Sequence, residues 1–286
     1  MSETQSTPII LVHGLFGFNQ LTLGGLKVTD YFRLIPDALR RDGHPVPEPP
    51  RLNPAGSVAE RAQDLKNYLQ DANRSDVFGT QVHIIAHSLG GLDSRFMISK
   101  LGMADRVLSL TTIGTPHHGT PIADIVVSGA DLILNEFIEH LGVDVKGVLD
   151  ITTDACRRFN DDVPDADGVR YFSIGGRFTP PRIMGIPQGL FGLTHDIVAK
   201  TEQDNDGLVS VVSATMGRPA WTPLDDWATN HPRQVNWGTN LVPTPRTGPR
   251  LLDFERDGRR AQCTTTVLSK IVRSGPISTR GKSHDG

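Results

Sequence analysis

An apolar run, Val82-His83-Ile84-Ile85, leads directly into Ala86-His87-Ser88-Leu89-Gly90, and a helix-compatible stretch follows over residues 91–101. A buried strand that turns sharply into a helix around a small-x-Ser-x-Gly pentapeptide leaves few folds open to the chain. In so tight a turn the serine is held in a strained backbone conformation, and its Oγ is lifted above the sheet edge at the start of the helix. The positions two before and two after the serine approach neighbouring backbone and must be small. Ala86 and Gly90 meet that demand, Ala86 being a mild departure from the commoner glycine. Ser88 is therefore the candidate nucleophile. The plain alternative is a buried serine that caps the helix.

A second apolar run, Pro8-Ile9-Ile10-Leu11-Val12, reads as a buried strand and ends in His13-Gly14-Leu15-Phe16-Gly17-Phe18. Attack by a serine on an ester carbonyl builds negative charge on the carbonyl oxygen. Preorganised backbone N–H groups stabilise that charge by about 3 kcal/mol each. One donor is expected from Leu89, directly after the nucleophile, and the other from Leu15, with Phe16 the neighbouring option. Taken alone, this loop also reads as an ordinary glycine-rich strand-to-helix turn.

A serine nucleophile needs a base, and the base needs an orienting carboxylate; in this kind of chain the order is Ser, acid, His. Asp206 in Asn205-Asp206-Gly207-Leu208-Val209-Ser210-Val211 is the best acid, placed in a turn beside a β-rich run. Asp204 competes with it, and a simple Asp-Gly turn is the bland reading. His231 in Ala228-Thr229-Asn230-His231-Pro232 is the best base. His195 precedes Asp206 and fails on order. His87 flanks the serine and must point away from it, while His83 on a buried strand reads as a core histidine. His117 and His118, in a turn after the strand expected at 107–113, read as loop and pocket-wall residues.

Taken together, these stretches resemble the bacterial triacylglycerol lipases of the Pseudomonas and Burkholderia type, within the α/β-hydrolase superfamily. The resemblance rests on His13-Gly14-Leu15-Phe16-Gly17-Phe18, Asp30-Tyr31-Phe32, Ile35-Pro36-Asp37-Ala38-Leu39-Arg40-Arg41-Asp42-Gly43, His87-Ser88-Leu89-Gly90-Gly91, Ile113-Gly114-Thr115-Pro116-His117-His118-Gly119-Thr120, Asn205-Asp206-Gly207-Leu208-Val209 and Asn230-His231. It implies an α/β-hydrolase fold and a triacylglycerol lipase that releases fatty acids through an acyl-enzyme. Ser88 is then the nucleophile, His231 the general base and acid, Asp206 the orienting acid, and Leu15 and Leu89 supply the oxyanion hole. The same triad also suits a short-chain carboxylesterase or polyester depolymerase. A non-catalytic lipid-binding protein that kept the fold is the remaining alternative.

The chain departs from that family in two places. One calcium-binding aspartate of the family falls at Arg233, and the other falls near Ile186 in an apolar loop. Calcium takes six to eight oxygen ligands, so no cofactor is expected and the calcium site is expected to be lost. The family's disulfide positions are not matched either.

With 286 residues, 37% hydrophobic and 21% charged, the chain suits one α/β catalytic domain over residues 1–245. Residues 246–286 are expected to form a partly disordered C-terminal extension. The net charge of −3 gives no drive toward nucleic acid or an anionic membrane. The expected partner is a lipid ester, met at a lipid–water interface, and the expected state is a monomer. Cys156 and Cys263 lie in unlike contexts and read as free thiols rather than a bridge. The N-terminus has no basic start and no apolar core, so it does not read as a signal peptide. A cytoplasmic protein, or the mature form of a secreted one, is expected, with no transmembrane segment.

Alternating strand and helix signals argue a mostly parallel sheet flanked by helices. Strands are expected at 9–12, 82–85, 107–113 and 170–175, and helices at 31–42, 57–72 and 92–101. Ser57 with Glu60 forms a capping box, and residues 27–32 and 45–54 are expected to be connections. Residues 122–160 carry more apolar side chains than one buried stripe needs. They suggest a helical lid, with a buried helix pair as the alternative. A second apolar stretch, 178–193, is expected to line an acyl pocket together with Phe16, His117 and Phe191.

Overall fold

The computed structural model describes residues 7–15, 20–23, 26–32, 34–54, 56–71, 73, 75–130 and 145–236. In chain order it contains β1 (Ile9–Val12), β2 (Gln20–Leu23), β3 (Leu26–Asp30), α1 (Ile35–Arg41), α2 (Val58–Gln70), α3 (Ser75–Phe78), β4 (Val82–His87), α4 (Gly90–Lys100) and β5 (Val107–Ile113). There follow α5 (Pro121–Ser128), α6 (Val145–Leu149), α7 (Thr153–Asp162), β6 (Arg170–Ile174), β7 (Arg182–Ile183), β8 (Ile186–Pro187), α8 (Leu190–Val198), α9 (Val211–Ala214), β9 (Trp221–Pro223) and a 3-10 turn, His231–Val235.

Five strands form one parallel sheet in the order β1-β4-β5-β6-β9. Successive side chains of a strand point to opposite faces, and here both faces are covered. Ile10, Val12, Ile84 and Ala86 pack against Ala62, Leu65 and Leu69 of α2 and Met97 and Ile98 of α4. Ile9, Leu11, Ile85 and Ile113 pack against Tyr31, Phe32 and Ile35 and Leu39 of α1. Burial on both faces explains why these strands read as continuous apolar runs rather than alternating ones. The parallel arrangement also brings the ends of β1, β4, β5 and β6 to one edge, where the loops of a doubly wound sheet gather their chemistry.

The helix expected at 31–42 begins only at Ile35. Leu34 takes a left-handed conformation (φ 65°), and Tyr31 and Phe32 enter the core as irregular backbone. Residues 26–30 pair with β2 in an antiparallel hairpin, although 27–30 were expected within a connection. The β-rich reading of Val209-Ser210-Val211 is also overturned. The Ser210 hydroxyl accepts from the Ser213 amide and starts α9, a local cap outweighing β propensity. The capping box at Ser57 and Glu60 forms as read.

Within residues 122–160 the structure describes α5, α6 and α7, while residues 131–144 lie outside the described part. Ala123, Val148 and Cys156 from this segment pack on Leu15, Leu89 and Leu92. Cys156 is a buried free thiol whose pKa burial pushes up to about 12; Cys263 lies outside the described residues, as does the 246–286 extension.

Candidate active site

Ser88 sits between β4 and α4 with φ 55°, a strained value for a residue with a side chain. The turn is held from both sides. The Ser88 amide donates to the Ile113 carbonyl at 2.9 Å. The Ser88 carbonyl accepts from the Gly91 amide at 3.1 Å and from Thr115 Oγ1 at 2.8 Å. A Cβ on Gly90 would stand 2.7 Å from the carbonyl oxygens of both Val12 and His13. This is the backbone clash that the small residue after the serine avoids. A Cβ on Gly14 would stand 2.5 Å from Ser88 Cβ and 3.1 Å from its Oγ, so the loop after β1 lies directly against the nucleophile.

Leu15 and Leu89, the expected oxyanion donors, bury their side chains in one cluster with Leu92 and Val58. That anchors both backbones beside Ser88, with Leu89 at the start of α4, where helix amides favour negative charge. Phe16, the alternative donor and a candidate pocket residue, lies outside the described residues. The loop is tied down by Arg61, fully buried on α2. Its guanidinium donates to the carbonyls of His13 (2.7 Å), Gly14 (3.3 Å) and Asn53 (2.8 Å) and to Asp93 Oδ2 (2.8 Å). Burial, helped by the Arg61 charge, lowers the His13 pKa to about 3. No pattern in the sequence marked Arg61 or Asp93 as tethers of this loop.

His231 and Asp206 meet as expected: His231 Nδ1 lies 2.7 Å from Asp206 Oδ2, both side chains being almost fully buried. The His231 amide also donates to the Asp206 carbonyl at 2.9 Å, so backbone and side chain hold the pair together. Asp206 Oδ1 accepts from the amides of Leu208 (3.0 Å) and Val209 (2.8 Å), and Oδ2 takes a second donor, Gln234 Nε2, at 2.8 Å. The competitor Asp204 is exposed and pairs with Arg177. Among the described residues the His231 ring is hydrogen-bonded to Asp206, and its other nitrogen makes no hydrogen bond to Ser88. Apo catalytic bonds commonly tighten only once substrate is bound.

His87 points away from the serine, as an elbow demands. It is buried, and its ring centroid lies 4.5 Å from that of His231. Burial first, and then the His231 charge, hold its pKa well below the usual histidine value. His83 is a core histidine bonded to Ser109 Oγ at 2.7 Å.

His117 does not line a pocket. It is fully buried, with Nε2 at 3.0 Å from Thr112 Oγ1, Nδ1 at 3.3 Å from Arg95, and its ring edge on Trp221. The tight turn after β5 drives it back under the sheet edge. Nor do the hairpin side chains of the 178–193 stretch line an enclosed pocket. Met184 and Gly185 form a positive-φ turn, and Ile183, Met184 and Ile186 project outward. Phe191, in the first turn of α8, packs its carbonyl and Cβ against Gly207, next to the acid.

Residues 9–267 match the alpha/beta hydrolase family. A triacylglycerol lipase of Vibrio cholerae is 30% identical over 266 residues, covering 80% of this chain and 79% of its own. Triacylglycerol lipase 2 of Saccharomyces cerevisiae is 34% identical over 196 residues, covering 65% of this chain and 56% of its own. Among solved structures, the mature Bacillus licheniformis lipase BlEst2 superposes with a TM-score of 0.64 at 22% identity, covering 82% of this chain and 89% of that one. The metagenomic carboxyl esterase MGS0156 gives 0.68 at 18% identity, covering 94% and 76%. At these identities the superpositions speak for the fold alone.

Proposed function

The chain belongs to the alpha/beta hydrolase family, and on that premise we propose that it is a serine ester hydrolase with lipase activity, acting on acylglycerols through Ser88, His231 and Asp206. The observation that carries the reading is a positive-φ serine at a strand-to-helix turn directly after His87, whose ring lies 4.5 Å from that of His231 in a buried, doubly tethered His–Asp pair.

Ser88 Oγ attacks the ester carbonyl while His231 Nε2 takes its proton. Asp206, bonded to Nδ1, fixes the ring and stabilises the imidazolium that forms. The Leu15 and Leu89 amides receive the negative charge of the tetrahedral intermediate, each worth about 3 kcal/mol by analogy with a deleted oxyanion donor. His231 returns the proton to the departing alcohol, and a water activated by the same ring then releases the fatty acid from the acyl-enzyme.

The protein works as a monomer at a lipid–water interface. No helix among the described residues is long and apolar enough to cross a membrane. The described parts of the 122–160 segment, residues 122–130 and 145–160, belong to the cap over the site; the contacts of Ala123, Val148 and Cys156 with Leu15 and Leu89 support that reading. Catalysis needs no calcium. One family position carries Arg233, a cation, and the other falls near Ile186 in an apolar loop, and neither supplies the oxygen ligands calcium takes.

Hydrolysis of p-nitrophenyl butyrate and palmitate and of emulsified tributyrin and triolein, by wild type and Ser88→Ala, tests this. Activity on long chains that vanishes in Ser88→Ala and survives EDTA is the expected result. Activity on butyrate alone makes the protein an esterase, and loss in EDTA sinks calcium independence. No hydrolysis of any ester by folded wild type sinks the catalytic reading.

A further inference from the structure

Three buried polar side chains, Tyr31, His87 and Gln234, have no role in the chemistry described above yet connect its two halves. The Gly14 amide donates to Tyr31 Oη at 3.1 Å. Tyr31 Oη lies 2.6 Å from His87 Nδ1. His87 Nε2 lies 3.1 Å from Gln234 Oε1, with the His231 carbonyl a second neighbour at 3.2 Å. Gln234 Nε2 donates to Asp206 Oδ2 at 2.8 Å. Tyr31, His87, Asp206 and Gln234 are all buried.

The two ends of this chain fix every proton between them. Gly14 can only donate, and an ionised Asp206 can only accept. Gln234 therefore turns its NH2 to Asp206 and its carbonyl to His87. His87 must then carry its proton on Nε2 and, being neutral, present a bare Nδ1, which receives the Tyr31 hydroxyl. The Tyr31 oxygen is left to accept from Gly14. A neutral His87 agrees with its deep burial, and burial likewise pushes the Tyr31 phenol above its ordinary pKa and keeps it a donor.

The backbone makes room for this arrangement. A Cβ on Gly114, at the end of β5, would fall 2.2 Å from Gln234 Oε1. A Cβ on Gly176, just past β6, would fall 2.3 Å from Gln234 Nε2 and 2.8 Å from Asp206 Cβ. The amide is seated between two strand ends that both lack a side chain.

We propose that Gln234 is a positioning residue which, through His87 and Tyr31, locks the Asp206–His231 pair and the Gly14–Leu15 oxyanion loop into one register by a single directed chain of hydrogen bonds. This deepens the triad reading and rests on it. Gln234 touches no reacting atom. It holds the second lone-pair side of Asp206 Oδ2, leaving His231 the other. Tyr31 holds the loop that faces the nucleophile. Breaking the chain anywhere loosens both ends, so the effect falls on the transition state rather than on substrate binding.

The test compares Gln234→Met, Tyr31→Phe and the double variant on p-nitrophenyl butyrate. Active sites are counted with a covalent phosphonate, so that misfolded protein drops out. Each single change is expected to lower kcat by about tenfold or more, as loss of a supporting partner does at other sites, with KM within about twofold. The double variant should be no slower than the slower single. Groups that act independently multiply their losses instead. Multiplied losses, or wild-type kcat in Gln234→Met, overturn the proposal.

If Gln234→Met does not fold, Gln234→Glu keeps the size and adds a carboxyl facing Asp206, His87 and His231. Its activity relative to wild type at the same pH should be highest at acid pH and fall as pH rises and two carboxylates confront each other; an equal relative loss at every pH overturns the proposal. Ser88→Ala and His231→Ala in the same assay separate the two readings. If these abolish activity while Gln234→Met keeps the wild-type rate, only the chain fails. If they keep activity, the triad itself fails.

Discussion

Asp206 and Asp93 are both fully buried carboxylates, and their surroundings differ in kind. Asp206 takes four donors, two on each oxygen: the Leu208 and Val209 amides, His231 and Gln234. Asp93 takes Arg61 on Oδ2, and its Oδ1 has no hydrogen-bond partner among the described residues. Burial pushes the Asp93 acid up to about 7 in spite of the adjacent Arg61 charge, with Asp150 and Asp64 adding to the rise. An acid that must orient a base through each turnover is saturated with donors. An acid that only anchors a guanidinium is left half satisfied. The work at the second centre is done by Arg61, whose remaining bonds run to Asn53, His13 and Gly14. One centre positions a reacting group, and the other tethers a loop.

The sharpest way to break that contrast is to neutralise each acid in turn. Asp206→Asn should lower kcat by about 10⁴-fold, as loss of the orienting acid does in other serine hydrolases. Asp93→Asn, assayed where it remains folded, should stay within about tenfold of wild type, since Asp93 faces no reacting group. Equal losses in kcat for the two would erase the distinction.

Arg61→Met attacks the tether. Removing one partner of a buried ion pair typically costs about 3–5 kcal/mol because the other charge stays behind. Urea unfolding of the purified variant measures it. A cost below about 1 kcal/mol, the level of an exposed pair, would show that the tether contributes little.

Acid sharpens the comparison further. His13, His83, His87 and His117 are buried with pKa values below the ordinary 6.5, mainly through burial. Below that value the unfolded chain takes up protons that the native state refuses, so stability falls as pH falls. Asp93 works the other way. Its raised pKa lets the native state bind a proton between the ordinary 3.8 and about 7, so its contribution is full at low pH and is lost as pH rises. Asp93→Asn removes that opposing term. Its stability should therefore fall more steeply than the wild type's from about pH 6.5 to about pH 4, by about 1.4 kcal/mol per pH unit. Parallel curves for the two proteins would show that Asp93 does not titrate in this window.

Much of the fold was legible because burial on both faces writes strands as unbroken apolar runs. The bounds read for Ile9–Val12 and Val107–Ile113 coincide with β1 and β5. The elbow was legible because sterics limit it to small residues at fixed places. The partners of the candidate acid were not. Gln234, His87 and Tyr31 come from three distant stretches of the chain, a 3-10 turn, the end of β4 and irregular backbone after β3, and an amide, an imidazole and a phenol in unrelated sequence contexts carry no local signature of meeting. The hairpin at Gln20–Leu23 and Leu26–Asp30 was missed for another reason. Its sequence does carry a hairpin signal, Gln20-Leu21-Thr22-Leu23 and Leu26-Lys27-Val28-Thr29 alternating about Gly24-Gly25, but strands of four and five residues give too short a run to stand out from a connection. His117 was misplaced because a histidine in a Gly/Pro-rich turn gives no hint that the turn folds inward.

The smallest expected effect lies one turn from Arg61. Ser57 caps α2: its hydroxyl accepts from the Glu60 amide at 3.3 Å, and the Glu60 carboxylate accepts from the Ser57 amide at 2.8 Å. The Arg61 amide bonds the Ser57 carbonyl at 3.0 Å, so the cap and the tether share the first turn of the helix. Ser57→Ala removes the hydroxyl acceptor and leaves Glu60 and the carbonyl in place, a loss of about 1 kcal/mol for an exposed cap. If Arg61 is held by its own buried partners, thermal unfolding should show that modest loss and kcat should not change. A kcat that falls with the cap would mean that the oxyanion loop is positioned by the helix as a whole, with Arg61 only its most deeply buried contact.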